Sequence, residues 1–153
     1  MFQALISDNG TDVAEIERRA EEALGLIADE NGAVATLQRE AGRTVVATVL
    51  PSVFVELELD WQEQAVFVLV GEPFDGQRPA GYYVDPQGRK ARWHLSAALD
   101  RSSDPAIRGM AERLREVTQR SGIDAMVTQV DTSAEVIREV LPHLPALVRQ
   151  HRA

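Results

Sequence analysis

Tyr83, Lys90, Arg92 and His94 are the side chains whose types and spacing come nearest to a binding or reactive constellation in this chain. They flank Asp85-Pro86-Gln87-Gly88, which carries Asp first, Pro second and Gly fourth, the order a type I turn favours. Pairing Asp85 with Gly88 sets Val84 opposite Arg89, Tyr83 opposite Lys90, Tyr82 opposite Ala91 and Gly81 opposite Arg92. Strand alternation then collects Tyr83, Lys90, Arg92 and His94 on one face. Tyr82, Val84, Ala91, Trp93 and Leu95, with Arg89 near the turn, fall on the other. Cations beside an aromatic ring can hold an anion, a nucleotide or an acidic patch on a protein, and the plainer reading is a solvated hairpin face.

His94 titrates near neutrality and so suits acid or base work. Asp85 resembles a partner for it in sequence only, because six residues of strand separate them by about 20 Å. Ser96 lacks the context of a nucleophile elbow. His143 and His151 are eight apart, roughly 12 Å of helical rise, too far to share one metal. Glu56, Glu58 and Asp60 alternate along one run at about 7 Å spacing; they are read as a solvated or partner-facing acidic stripe rather than a metal centre. Gly71 to Gly76 lacks the spacing and the lysine of a phosphate loop. Phe74, inside the Pro/Gly loop 72–79, either folds that loop back onto the core or contacts a partner. Cysteine is absent, which excludes thiol nucleophiles, disulfides and thiolate metal sites. No catalytic residue, metal site or cofactor site is assigned.

The elements that must position these residues centre on 44–71. Thr44 to Leu50, Val53 to Asp60 and Ala65 to Val70 are rich in β-branched and aromatic residues and are divided by Pro51-Ser52 and by a polar turn, as successive strands are. Val53, Val55, Leu57 and Leu59 alternate with Phe54, Glu56, Glu58 and Asp60, so one face is read as buried and the other as wet. Ala65 to Val70 is apolar on both faces and needs a helix or a partner over its second side. Val34 to Arg39 precedes these runs, with Glu40 to Arg43 as a hairpin connection. Asp12 to Glu30 has the apolar spacing of a helix, capped by Thr11 or Asp12 and stopped at Asn31-Gly32. Asp104-Pro105 opens a second helix, closed at Ser121-Gly122. Met126 to Val130 reads as an edge strand or a linker. Thr132 to Glu135 has capping-box spacing for a last helix, which Pro142 and Pro145 break near Leu141.

The sum predicts one α+β domain over 1–153: an N-terminal helix, an antiparallel sheet of five or six strands, then two helices packed on the sheet. This order resembles small bacterial α+β binding proteins, the type III secretion chaperone-like and YbjN-like domains, and some toxin immunity proteins. The resemblance implies a binding role. The chain departs from the chaperones in having no room for a helix between its third and fourth strands, since Asp60 to Gln64 is a turn.

The net charge is −8, and residues 1–60 hold twelve acidic and four basic side chains while 61–153 hold twelve of each. Such a field disfavours nucleic acid and would attract a basic protein. With no export signal and no apolar stretch of membrane-spanning length, a cytoplasmic location is expected. The preferred expectation is a non-catalytic, chaperone-like or immunity-like module that binds a protein through the sheet face or edge. A homodimer would use the same apolar surface. The competing expectation is a small-molecule or enzymatic pocket near the Tyr82 to His94 hairpin, using Arg89, Arg92, His94 and Tyr82 or Tyr83.

Overall fold

The first helix, α1 (Phe2–Glu30), is followed by β1 (Ala35–Glu40), β2 (Arg43–Val49), β3 (Phe54–Asp60) and β4 (Ala65–Gly71). In the computed structural model, which describes residues 2–152 and the side chains of 12–149, a long irregular segment then leads to the two-residue β5 (Trp93–His94). Four α-helices come after it: α2 (Leu95–Asp100), α3 (Pro105–Thr118), α4 (Ile123–Val140) and, beyond a 3-10 turn at Leu141–His143, α5 (Leu144–Arg152). The sheet is an antiparallel meander in which every strand pairs with its neighbour in sequence. The α+β class and the helix-sheet-helix order are as the sequence indicates, and the sheet has five strands, but of the expected 81–95 hairpin only Trp93–His94 joins it. The two expected closing helices are four.

Register explains the core. Val46 faces Leu57, and Leu57 faces Val68, so the inner face is a continuous apolar surface. Ile16, Ala20, Leu24 and Ile27 of α1 and Met126, Val130 and Ile137 of α4 pack into the same core. Each of the large ones contributes about 1.5–3 kcal/mol by leaving water. Glu17 is buried beside them without being orphaned. It accepts from Arg39 and, at 2.6 Å, from the Thr44 hydroxyl, which in turn accepts from the indole of Trp61 at 3.0 Å. That chain of bonds ties α1 to β1, β2 and the β3–β4 turn.

Helix ends follow local chemistry at two places and depart from it at two others. Gly32 stops α1 at φ +70°, and the Asp104 carboxylate caps α3 through the Ala106 amide at 2.9 Å. By contrast α1 runs through the expected cap at Asp12 and ten residues further; the Thr11 side chain lies outside those described. Propensity at Asp8-Asn9-Gly10 is a weak term against a continuing helix. Likewise Met126 to Val130 is neither strand nor linker, and the Thr132 to Glu135 box lies inside α4. The reason is Gln129, fully buried: its Oε1 accepts from the Val66 amide at 2.9 Å, and its Nε2 donates to the carbonyls of Val117 and Arg120. A helical side chain does at this edge what another strand would have done. The break near Pro142 falls where expected, and Leu144, Leu147 and Val148 are buried beyond it.

The outer face of the sheet differs most from expectation. Phe54, Glu56 and Glu58 are buried, not wet. The cover over this face and over the second side of β4 is neither helix nor partner but the chain's own residues 72–92, which cross the sheet as a strap. Gly71 permits the close approach: a Cβ there would lie 2.3 Å from the Ala91 carbonyl oxygen and 2.6 Å from the Phe54 ring.

Candidate functional site

The hairpin turn of the strap is set by Gly88. Gly88 takes φ +82° and donates to the Asp85 carbonyl at 2.9 Å, closing the expected turn. The strands leave it one residue later than a two-residue loop would allow, since the Asp85 amide meets the Arg89 carbonyl at 2.8 Å. A type I turn followed by a left-handed residue is a three-residue hairpin loop with a bulge. The register therefore shifts: Val84 bridges Lys90, and the Ala91 amide donates to Tyr83. A one-residue slip exchanges faces. Arg92 stays on the face of His94, over the outer side of the sheet, and is joined there by Tyr82.

There it meets the acidic stripe. Glu56, 3% exposed, receives the Arg92 guanidinium at 2.9 and 3.0 Å and Arg78 at 2.6 Å. Glu58 receives Arg43 at 2.9 Å and the Tyr82 hydroxyl. Arg92 also donates to the carbonyls of Pro79, Gly81 and Tyr82, so one guanidinium supplies the partners a regular hairpin ladder would have given them. The Arg43 guanidinium lies 4.6 Å from the Tyr82 ring centre. Burial and the neighbouring Glu58 carboxylate push the Tyr82 phenol well above its ordinary range, which keeps it a donor. Expectations of solvated Glu56, Glu58 and Arg92 are thus corrected: each carboxylate excluded from water carries a full set of cationic or hydroxyl partners, the condition under which such groups are tolerated. Asp60 is not part of the stripe. Its carboxylate accepts from the amides of Gln62 and Glu63 and holds the β3–β4 turn.

Between β1, β2 and the strap lies a cleft of about 520 Å³ lined by Gln38, Glu40, Arg43, Glu58, Arg78 and Tyr82 among others. Its acids and bases already neutralise one another.

Tyr83 and His94 do come together, as the sequence indicates, with hydroxyl and Nε2 2.7 Å apart. The imidazole also packs edge-on against Phe67, ring centres 6.0 Å apart. Burial, with Lys90 nearby, lowers the His94 pKa although Glu58 acts against the shift. An imidazole paired with a phenol forms no dyad with a carboxylate. Lys90 is exposed and makes no hydrogen bond with either.

Phe74 is 74% exposed, so of the two readings of that loop the inward anchor is corrected. Its backbone is fixed by reciprocal bonds with Gln77, 2.8 and 3.0 Å, across a turn in which Asp75 and Gly76 both have positive φ. Beside it a groove of about 920 Å³ runs between loop 72–80 and the Asp85 to Lys90 turn. The sequence singled out Phe74 but not the groove, whose walls are brought together only by the strap.

Among the described residues no cluster of three or more His, Asp or Glu is arranged to hold a metal. His143 sits exposed in the 3-10 turn, and the His151 side chain lies outside those described. No described helix is long and apolar enough to cross a membrane. Comparison with known families, curated proteins and solved structures finds no match to this chain.

Proposed function

We propose that this protein is a non-catalytic protein-binding module whose contact surface is the strap, 72–92, with Phe74 as its anchor. The observation that carries the reading is the exposed ring of Phe74 on a turn closed by two backbone bonds. Leaving a phenylalanine in water forgoes about 1.5–3 kcal/mol. A rigid turn that holds it out offers that energy to a partner at little ordering cost. The ion pairs around Glu56 and Glu58 support the same reading, because they hold the strap as a fixed platform and leave no unpaired acid or base in the cleft for chemistry. They also count against a basic partner gripping the acidic stripe, which is neutralised from within. A chaperone-like hold on a partner segment suits this surface better than an immunity-like acidic shield.

Replacing Phe74 with photoreactive benzoylphenylalanine in the producing cell tests the proposal. One dominant adduct with a second protein, suppressed when unlabelled wild-type protein is co-expressed, is expected. Absence of any adduct, or an adduct only with another copy of the chain, overturns it.

A further inference from the structure

The groove beside Phe74 has a chemistry specific enough to define its occupant. Pro73, Phe74, Pro79, Pro86, Ala91 and Trp93 give it apolar walls. Arg89 and Lys90 stand on its turn side, both exposed. Neither side chain makes a hydrogen bond or ion pair among the described residues, a state shared by the isolated Arg120, whereas Arg18, Arg19, Arg39, Arg43, Arg78, Arg92, Arg113, Arg115 and Arg138 are all held by carboxylates. The groove's own acids do not serve them. The Asp85 carboxylate accepts from the amides of Gln87 and Arg89, and Glu72 is engaged within the protein. In a chain with surplus negative charge, two adjacent uncommitted cations beside an apolar trough form a complementary surface for an apolar side chain next to a carboxylate.

We infer that the groove binds a short acidic and apolar segment of a partner protein: a large apolar side chain lodged against Phe74 and Trp93, flanked by Asp or Glu that reach Arg89 and Lys90. The inference rests on the protein-binding reading above and names the kind of partner. Location favours it, because the surplus acid lies in residues 1–60 while the half that builds the groove is balanced. Attraction at the rim is therefore local and screened by salt. Nucleic acid fits less well, since one exposed aromatic and two cations are not a stacking platform.

A phage-displayed random dodecapeptide library, panned on the immobilised full chain, is the probe. Enriched sequences are expected to carry an aromatic or branched apolar residue flanked by Asp or Glu. A synthetic peptide of that sequence should lose about tenfold or more in affinity to Arg89→Glu/Lys90→Glu, a loss of roughly 1.4 kcal/mol, and weaken with salt. Phe74→Ala should weaken it as well. Enrichment of basic or uncharged peptides that bind the double charge variant undiminished but are lost on Phe74→Ala overturns the acidic partner and leaves the binding module standing. Peptides indifferent to Phe74→Ala, no enrichment, or a dimer in sedimentation that dissolves on Phe74→Ala overturn both. Circular dichroism of each exposed-site variant confirms that the fold is unchanged.

Discussion

Arg92 holds Glu56 by two parallel hydrogen bonds, 2.9 Å to Oε1 and 3.0 Å to Oε2, across 36 positions of chain. Both side chains are almost wholly buried. This pair joins the middle of the sheet to the end of the strap, and a fork of fixed geometry specifies where the strap must lie. Removing one partner leaves a buried charge short of its counter-ion, whereas removing both leaves only the more exposed Arg78 without its carboxylate.

Arg92→Met should therefore destabilise the fold by about 3 kcal/mol, the lower end for a broken buried pair because Arg78 still meets Glu56. The double variant Arg92→Met/Glu56→Leu should recover part of that loss. Urea denaturation of the wild type, both single variants and the double variant gives the coupling directly. Equal destabilisation by the double and the single variant would show that the pair is not what fixes the strap.

Gln129→Leu should cost about 3 kcal/mol, since it leaves the buried Val66 amide and the carbonyls of Val117 and Arg120 without partners. Amide hydrogen exchange at Val66 should accelerate far more than exchange in β2. An unchanged Val66 rate would mean that the edge of β4 is satisfied in another way.

Gly71→Ala should destabilise by roughly 1–3 kcal/mol, the usual cost of overpacking, because the new methyl meets a backbone carbonyl as well as the Phe54 ring. Trimming Phe54 to Leu should not restore stability, as the Ala91 carbonyl remains in the way. Full rescue by that second change would place the obstruction in the ring alone.

Acid sensitivity should follow His94. Burial lowers its pKa from the ordinary 6.5, so the unfolded chain binds this proton more tightly than the folded one. Stability from this group is complete above 6.5 and is lost as pH falls toward the depressed folded value, below which the loss levels off. His94→Gln, whose amide keeps a hydrogen-bonding partner for Tyr83, should flatten that part of the stability-against-pH curve. A slope identical to wild type would assign the sensitivity to another group.

The central strands are legible because their alternation and their turns are local properties, and Val53, Val55, Leu57 and Leu59 could be placed on one face from period alone. Gln129 defeats that reading. A polar residue at a core position blurs the helical pattern of α4, and its role depends on an amide 63 positions away. The grouping of Arg92 with His94 is readable from alternation, yet Tyr82 falls on the wrong side because Gly88 adds one residue to the hairpin loop. The signal was present in Asp-Pro-Gln-Gly, which permits the bulged loop as well as the tight one. Arg78 and the burial of Glu56 had no local signal, since an acidic stripe and a loop arginine declare nothing until a strap brings them together.

The sheet's meander order also bears on how the molecule assembles. Strands β1 to β4 can zip as successive hairpins, each closing a short loop, so a large part of the sheet needs no distant segment to form. The strap and α4 join it only after longer loops close. A newly made chain would for that interval hold the apolar flanks of Glu56 and Glu58 in water, and the arginines of residues 78–92 are what seals them.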